Sequence, residues 1–308
     1  MVTGVKRLRI SCCGLLWVTG LVALPVAGAV PLQVCALHPL LADVARQVGG
    51  ERVEVHDLTG DGGNLHRFEP RPADLRRMQA SAVVLASGKN LEPYLDRLKS
   101  SLGGVTVVEV GRTLPSLSVG QDAVYACCPG HGASATDPHW WHGVDNMRRA
   151  ARVVAQAFAE KDPANQEYFM SRANTYGKQL DELRRWASRE LAKVARGQRK
   201  LVTAHNAFGY FAKEFGFTVI AVAGLNQEQN TTPQQQAATI EAVMKSGVRA
   251  VFPEMNTRGK ELEALTAATG ARLGEPLIAD GNGRGQDAGF EGMIRHNVTA
   301  ITQALAPP

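Results

Sequence analysis

The chain has 308 residues, enough for about two globular domains, and its 44% hydrophobic and 20% charged residues exclude a disordered or coiled-coil polypeptide. The formal charge of +5 falls to +2 without the first 29 residues, where Lys6, Arg7 and Arg9 stand with no acidic neighbour. So neutral a surface gives no electrostatic basis for a nucleic-acid partner, whose binders carry a basic face.

The N-terminus has a basic start, an apolar stretch from about Leu15 to Val26, and the small-residue end Ala27-Gly28-Ala29. This is the pattern of a cleavable signal peptide over residues 1–29, its apolar run being too short to span a bilayer comfortably. Cys12 and Cys13 precede that run, so neither is placed to become a lipid-modified first residue. The expected mature protein is soluble and periplasmic. Cys35, Cys127 and Cys128 then remain in a compartment that permits disulfides, and a bridge from Cys35 to one of the adjacent pair stays open.

Short runs rich in Val, Ile and Leu alternate with longer amphipathic stretches, which predicts repeated β-α units and parallel sheets. In the first half the strands are expected at Leu32–Leu37, Val53–Leu58, Ala82–Ala86 and Val105–Val110. In the second half they are expected at Leu201–Ala204, Thr218–Val222, Ala250–Phe252 and, more weakly, Ala271–Leu277. Between the halves, Pro163 opens a stretch to about Val194 in which Phe169, Tyr176, Leu180, Leu183, Ala187, Leu191 and Val194 recur at three, four or seven residues. That spacing predicts one long, stiff helix on the order of 45 Å. The expected fold class is α/β, with two similar lobes, each a roughly four-stranded parallel sheet flanked by helices, joined by one long rigid helix. The expected boundaries are 30–162 for the first lobe, 163–195 for the linker helix and 196–308 for the second lobe.

Four residues stand at the ends of strands or in turns. His66 follows the second strand, His139 lies in Asp137-Pro138-His139-Trp140-Trp141 before a helix, His205 ends Leu201-Val202-Thr203-Ala204, and Asp280 follows the last strand. Ligands of open α/β sheets gather at the carboxyl ends of strands. Intervals of 73, 66 and 75 residues separate these positions, unlike the tight spacing of a zinc finger and suited to a cleft walled by two domains. A zinc hydrolase would need an open coordination position and a nearby base. The chain has no H-E-x-x-H and no other His/Glu pairing at short helical spacing that offers a metal with an adjacent base, so an extracellular metal-dependent hydrolase is the weaker alternative.

The segment His66-Arg67-Phe68-Glu69-Pro70-Arg71-Pro72-Ala73-Asp74, the run Ser87-Gly88-Lys89-Asn90-Leu91-Glu92, the motif Asp137-Pro138-His139-Trp140-Trp141 and the stretch Thr203-Ala204-His205-Asn206-Ala207-Phe208-Gly209-Tyr210 occur in that order. Together they resemble the zinc- and manganese-binding subunits of ATP-driven (ABC) metal importers, the ZnuA/TroA-like solute-binding proteins, from about Leu32 to Leu305. The resemblance implies a non-enzymatic carrier that holds one metal between two lobes, with His66 and His139 from the first lobe and His205 and Asp280 from the second. The match around Asp280 is looser, and Glu254 is the fallback ligand, otherwise structural. The implied partners are an ABC permease in the inner membrane and the metal ion, and the implied state is a monomer.

Three imidazoles and one carboxylate make a borderline-soft, four-coordinate set that favours Zn²⁺, whereas Mn²⁺, a harder ion, prefers more oxygen. Mn²⁺ is the alternative cargo. Protons compete for imidazole, so affinity is expected to fall steeply below about pH 6. Cys127-Cys128-Pro129-Gly130-His131 reads as an ordinary turn or as a short auxiliary metal-collecting loop. His38, His56, His142 and His296 read as structural.

Overall fold

The apolar runs form two parallel sheets with one strand order. The computed structural model describes residue 1 and residues 30–60, 65–119, 135–222, 233–255, 260–281 and 283–307. The leader and the Cys127–His131 segment therefore lie outside the described residues. By its internal contacts the chain divides into Met1–Val30 and Pro31–Pro308, and every helix and strand named below belongs to the second unit.

In chain order the first half holds β1 (Leu32–Ala36), α1 (Pro39–Gly49), β2 (Val53–Asp57), α2 (Pro72–Gln79), β3 (Val83–Ala86), α3 (Leu95–Ser101), β4 (Thr106–Glu109), β5 (Ser118–Val119), β6 (Ala135–Thr136) and α4 (Val144–Lys161). Next comes α5 (Gln166–Leu191), then β7 (Lys200–Thr203), α6 (Gly209–Phe215), β8 (Thr218–Ala221), α7 (Pro233–Ser246), β9 (Ala250–Phe252), α8 (Lys260–Thr269), β10 (Arg272–Leu273) and α9 (Gly289–Leu305). The first sheet runs β2-β1-β3-β4 and the second β10-β9-β7-β8, all parallel. In the first sheet, the order reverses between β1 and β3, and in the second between β7 and β9. These are switch points, where open α/β sheets bind ligands.

Alternation along the strands builds the layers. Val34, Ala36, Val83, Leu85, Leu201, Ala250 and Phe252 face one core shared by α1, α4, α5 and α9. Cys35, Val84 and Ala86 face α3 on the outside of the first sheet, and Val202 and Val251 face α7 and α8 on the outside of the second. The inner core is thus continuous through both lobes. Cys35 is a free, buried thiol.

The long helix begins after a 3-10 turn at Pro163–Asn165 and runs for 26 residues, about 39 Å at 1.5 Å per residue. Its buried face, Phe169, Ala173, Tyr176, Gly177, Leu180, Leu183, Ala187 and Leu191, follows the helical period. Gly177 faces Arg148 of α4, where a Cβ would lie 3.5 Å from the Arg148 side chain, an ordinary packing distance.

Helix ends are capped from the opposite lobe. Asp43 of α1 accepts from Phe290 N at 2.8 Å, at the start of α9, and Glu214 of α6 accepts from Val144 N at 2.7 Å, at the start of α4. Each carboxylate satisfies an amide that its helix cannot, in the favourable field of a helix N-terminus.

Two features depart from the expected pattern. The last strand is cut to Arg272–Leu273, followed by a single parallel bridge between Leu277 and Glu254. Pro276 has no N–H for a ladder, and Gly274 lies so close to the Phe252 ring that any Cβ there would sit at 2.7 Å from it. The β5–β6 pair is antiparallel and too short for a period-2 signal, yet it delivers the Asp137-Pro138-His139 turn: Asp137 N donates to Leu117 O at 2.9 Å.

Candidate metal centre

Four ligand atoms converge at the carboxyl ends of the strands. One atom each from His66, His139, His205 and Asp280 lies within 4.8 Å of all the others. His66 sits on the 3-10 turn Leu65–Arg67 after β2, anchored by buried Leu65. His139 precedes the 3-10 turn Trp140–His142, and Trp140 Nε1 pins that turn by donating to Ser87 Oγ at 2.9 Å. His205 follows β7 closely. Asp280 ends the buried run Leu277–Ala279 and precedes Gly281, whose φ of 97° turns the chain away.

His66 Nε2 lies 3.2 Å from His139 Nε2 and 3.8 Å from Asp280 Oδ2. Asp280 Oδ2 is 3.7 Å from His205 Nε2, and Oδ1 is 4.0 Å from His139 Nε2. Bonds of 2.0–2.1 Å in a tetrahedron give ligand separations of about 3.4 Å, and these four contacts, at 3.2 to 4.0 Å, lie near that value. His139 and His205 are fully buried, and His205 Nε2 has no hydrogen-bond partner. A buried, unbonded donor nitrogen beside a carboxylate fits a cation-binding set.

One device orients two of the imidazoles. Asp137 Oδ1 accepts from His139 N at 2.9 Å and from His139 Nδ1 at 2.8 Å. Glu254 accepts from His205 N at 2.9 Å through Oε1 and from His205 Nδ1 at 2.5 Å through Oε2. A carboxylate on Nδ1–H sets the ring tautomer and aims Nε2 at the cluster. Glu254 therefore stands behind His205, outside the converging set. Asp137 has a local signal, a carboxylate two residues before the histidine in a Pro turn; Glu254 stands out only as a carboxylate after β9, and its pairing with His205, 49 residues away, has no local signal.

Burial holds His139 well below its ordinary pKa, with the neighbouring His205 and His66 adding to the effect, and burial likewise lowers His66. Burial acts the same way on His205, but the Glu254 and Asp280 carboxylates outweigh it and push that imidazole up to about 9. Burial raises Asp137 to about 7 against the hydrogen bond from His139 N. The remaining histidines among the described residues lie outside the cluster. His38 caps α1, its Nδ1 accepting from Leu40 N at 3.0 Å; His56 bonds Gln33, His142 bonds Ala279 O, and His296 bonds Pro276 O.

The family model for zinc-uptake complex component A, periplasmic, matches residues 34–304. The chain belongs to this ZnuA family. The manganese-binding lipoprotein MntA of Bacillus subtilis is 28% identical over 282 residues, covering 89% of this chain and 90% of the relative. The iron-binding protein YfeA of Yersinia pestis is 26% identical, covering 80% and 77%. The periplasmic zinc-binding protein TroA of Treponema pallidum superposes with a TM-score of 0.79 at 26% identity, covering 90% of this chain and 99% of TroA. A periplasmic metal-binding protein of Candidatus Liberibacter asiaticus shares the fold at 19% identity and a TM-score of 0.78, covering 89% of this chain and 99% of that one.

Membership in the ZnuA family makes this chain a metal-binding substrate-binding protein of an ABC importer, not an enzyme, with a membrane permease as its partner. Among the described residues, no helix is long and apolar enough to cross a membrane.

Proposed function

We propose that this protein captures Zn²⁺ in the periplasm and delivers it to an ABC permease in the inner membrane. In this reading His66, His139, His205 and Asp280 are the ligands, residues 1–29 are a cleaved signal peptide, and the monomer is built as lobe 30–162, linker helix 163–195 and lobe 196–308. The observation that carries it is the convergence of three imidazole nitrogens and one carboxylate within 4.8 Å. Nitrogen supplies three of the four donors, which suits zinc better than manganese, and no backbone carbonyl or second carboxylate need join the set.

Manganese is the second reading. It draws on the names of the curated relatives, several of which are manganese-binding lipoproteins. Competitive titration of the mature protein with Zn²⁺ and Mn²⁺ decides between them. Zinc binding at sub-micromolar dissociation constant with weaker manganese binding supports the proposal, and the reverse order replaces zinc with manganese as the cargo.

A further inference from the structure

Asp280 is delivered on a segment that has left the sheet, so side chains must satisfy the backbone there. Ile278 N donates to Asn297 Oδ1 of α9 at 2.8 Å, and Asn297 Nδ2 donates back to Ile278 O at 2.9 Å. The next carbonyl, Ala279 O, accepts from Trp141 Nε1 at 3.0 Å and from His142 Nε2 at 2.9 Å. Trp141, His142 and Ala279 are all at most 1% exposed. The bond to Ala279 places the His142 proton on Nε2. The other ring nitrogen, Nδ1, is buried with no hydrogen-bond partner, so this imidazole makes its bond to the Asp280 segment alone. Trp141 and His142 stand two and three residues after His139, on a turn belonging to the opposite half of the chain from Asp280.

We propose that Trp141 and His142 are positioning residues that set the reach of the Asp280 carboxylate toward the ion. The turn that follows His139 thereby fixes the backbone one residue ahead of the fourth ligand, and the two halves of the site keep one relative geometry. The proposal rests on the reading of Asp280 as a ligand. Supporting groups of this kind change metal affinity by about 10- to 100-fold when removed.

Zinc affinity is measured by competition with a chromophoric chelator for the wild type, Trp141→Phe, His142→Phe, His142→Gln and the Trp141→Phe/His142→Phe pair, each also in an Asp280→Ala background. Trp141→Phe and His142→Phe should each weaken binding about tenfold. The pair should lose more than the two single losses combined, because Ala279 O keeps one donor in each single variant. His142→Gln, which can place an N–H where Nε2 stands, should stay near the wild type. In the Asp280→Ala background neither phenylalanine should change affinity further. Equal losses in both backgrounds, or none in either, overturn the positioning role while leaving Asp280 a ligand if Asp280→Ala itself weakens binding. Unchanged affinity in Asp280→Ala overturns the ligand reading and this proposal with it.

Discussion

Glu254 binds His205 twice, through the backbone N–H at 2.9 Å and through Nδ1 at 2.5 Å, across 49 residues of chain. Asp137 does the same for His139 from two residues away. On the proposed ligand assignment, these carboxylates hold the two imidazoles in place before an ion arrives, so little ordering remains to be done on capture. Glu254→Ala should therefore weaken zinc binding by about 10- to 100-fold with the ligand count unchanged, and Asp137→Ala should act in the same direction. Chelator competition measures the affinity. A Glu254→Ala affinity equal to the wild type would show that His205 is aimed by packing alone.

The same pairing governs pH dependence. With its pKa raised to about 9, His205 is protonated at neutral pH and must release one proton to bind a metal through Nε2. His66 and His139, lowered by burial, are already neutral there. Zinc affinity should rise about tenfold per pH unit from about pH 6 to about 9 and level off above. The competition with protons thus extends well above the range of ordinary imidazoles. Calorimetry at about pH 7.5 in buffers of differing ionisation enthalpy should count about one proton released per zinc, and affinity independent of pH across this range would contradict it.

Acid should destabilise the metal-free protein through a different pair. Burial lowers His38 to about 3 and His142 to about 4. A depressed imidazole stays neutral when folded while the unfolded chain takes up a proton below about 6.5, so its contribution is full above about pH 6.5 and is lost as pH falls toward the folded value. Each costs about 2 kcal/mol by about pH 5. His38→Asn keeps an N-cap acceptor for Leu40 N and removes one of the two groups, so its melting temperature should fall less between about pH 7 and about pH 5 than that of the wild type. Parallel declines would exclude His38 as a source of the acid sensitivity.

The cross-lobe caps make a stability prediction independent of metal. Asp43→Ala leaves Phe290 N at the start of α9 without its acceptor and should cost about 1 kcal/mol in urea unfolding, with the denaturant slope unchanged. Glu214→Ala should cost about the same by freeing Val144 N. An altered slope would mean that the lobes separate before they unfold.

Much of this was legible in the chain. Seven of the expected strands stand within about a residue of their places because each is a short segment built on Val, Ile or Leu, and the long helix shows because its stripe from Phe169 to Leu191 keeps the helical period. The four converging residues could be found because each ends a strand or lies in a motif. What could not be read depends on long-range partners or on very short elements. Nothing near His205 announces Glu254, two-residue strands have no period, and Gly274 and Pro276 end the last strand in spite of the apolar residues around them. The donation of Trp141 and His142 to Ala279 O joins positions 138 and 137 residues apart, a relation that only the packed fold creates.

If His66, His139, His205 and Asp280 together hold one Zn²⁺, each should be needed for full affinity. Competitive zinc titration of the mature wild type and of His66→Ala, His139→Ala, His205→Ala and Asp280→Ala tests this most directly. One equivalent bound at sub-micromolar dissociation constant in the wild type, with a loss of about tenfold or more in every variant, is the expected result. Sub-micromolar binding retained unchanged in all four would contradict it.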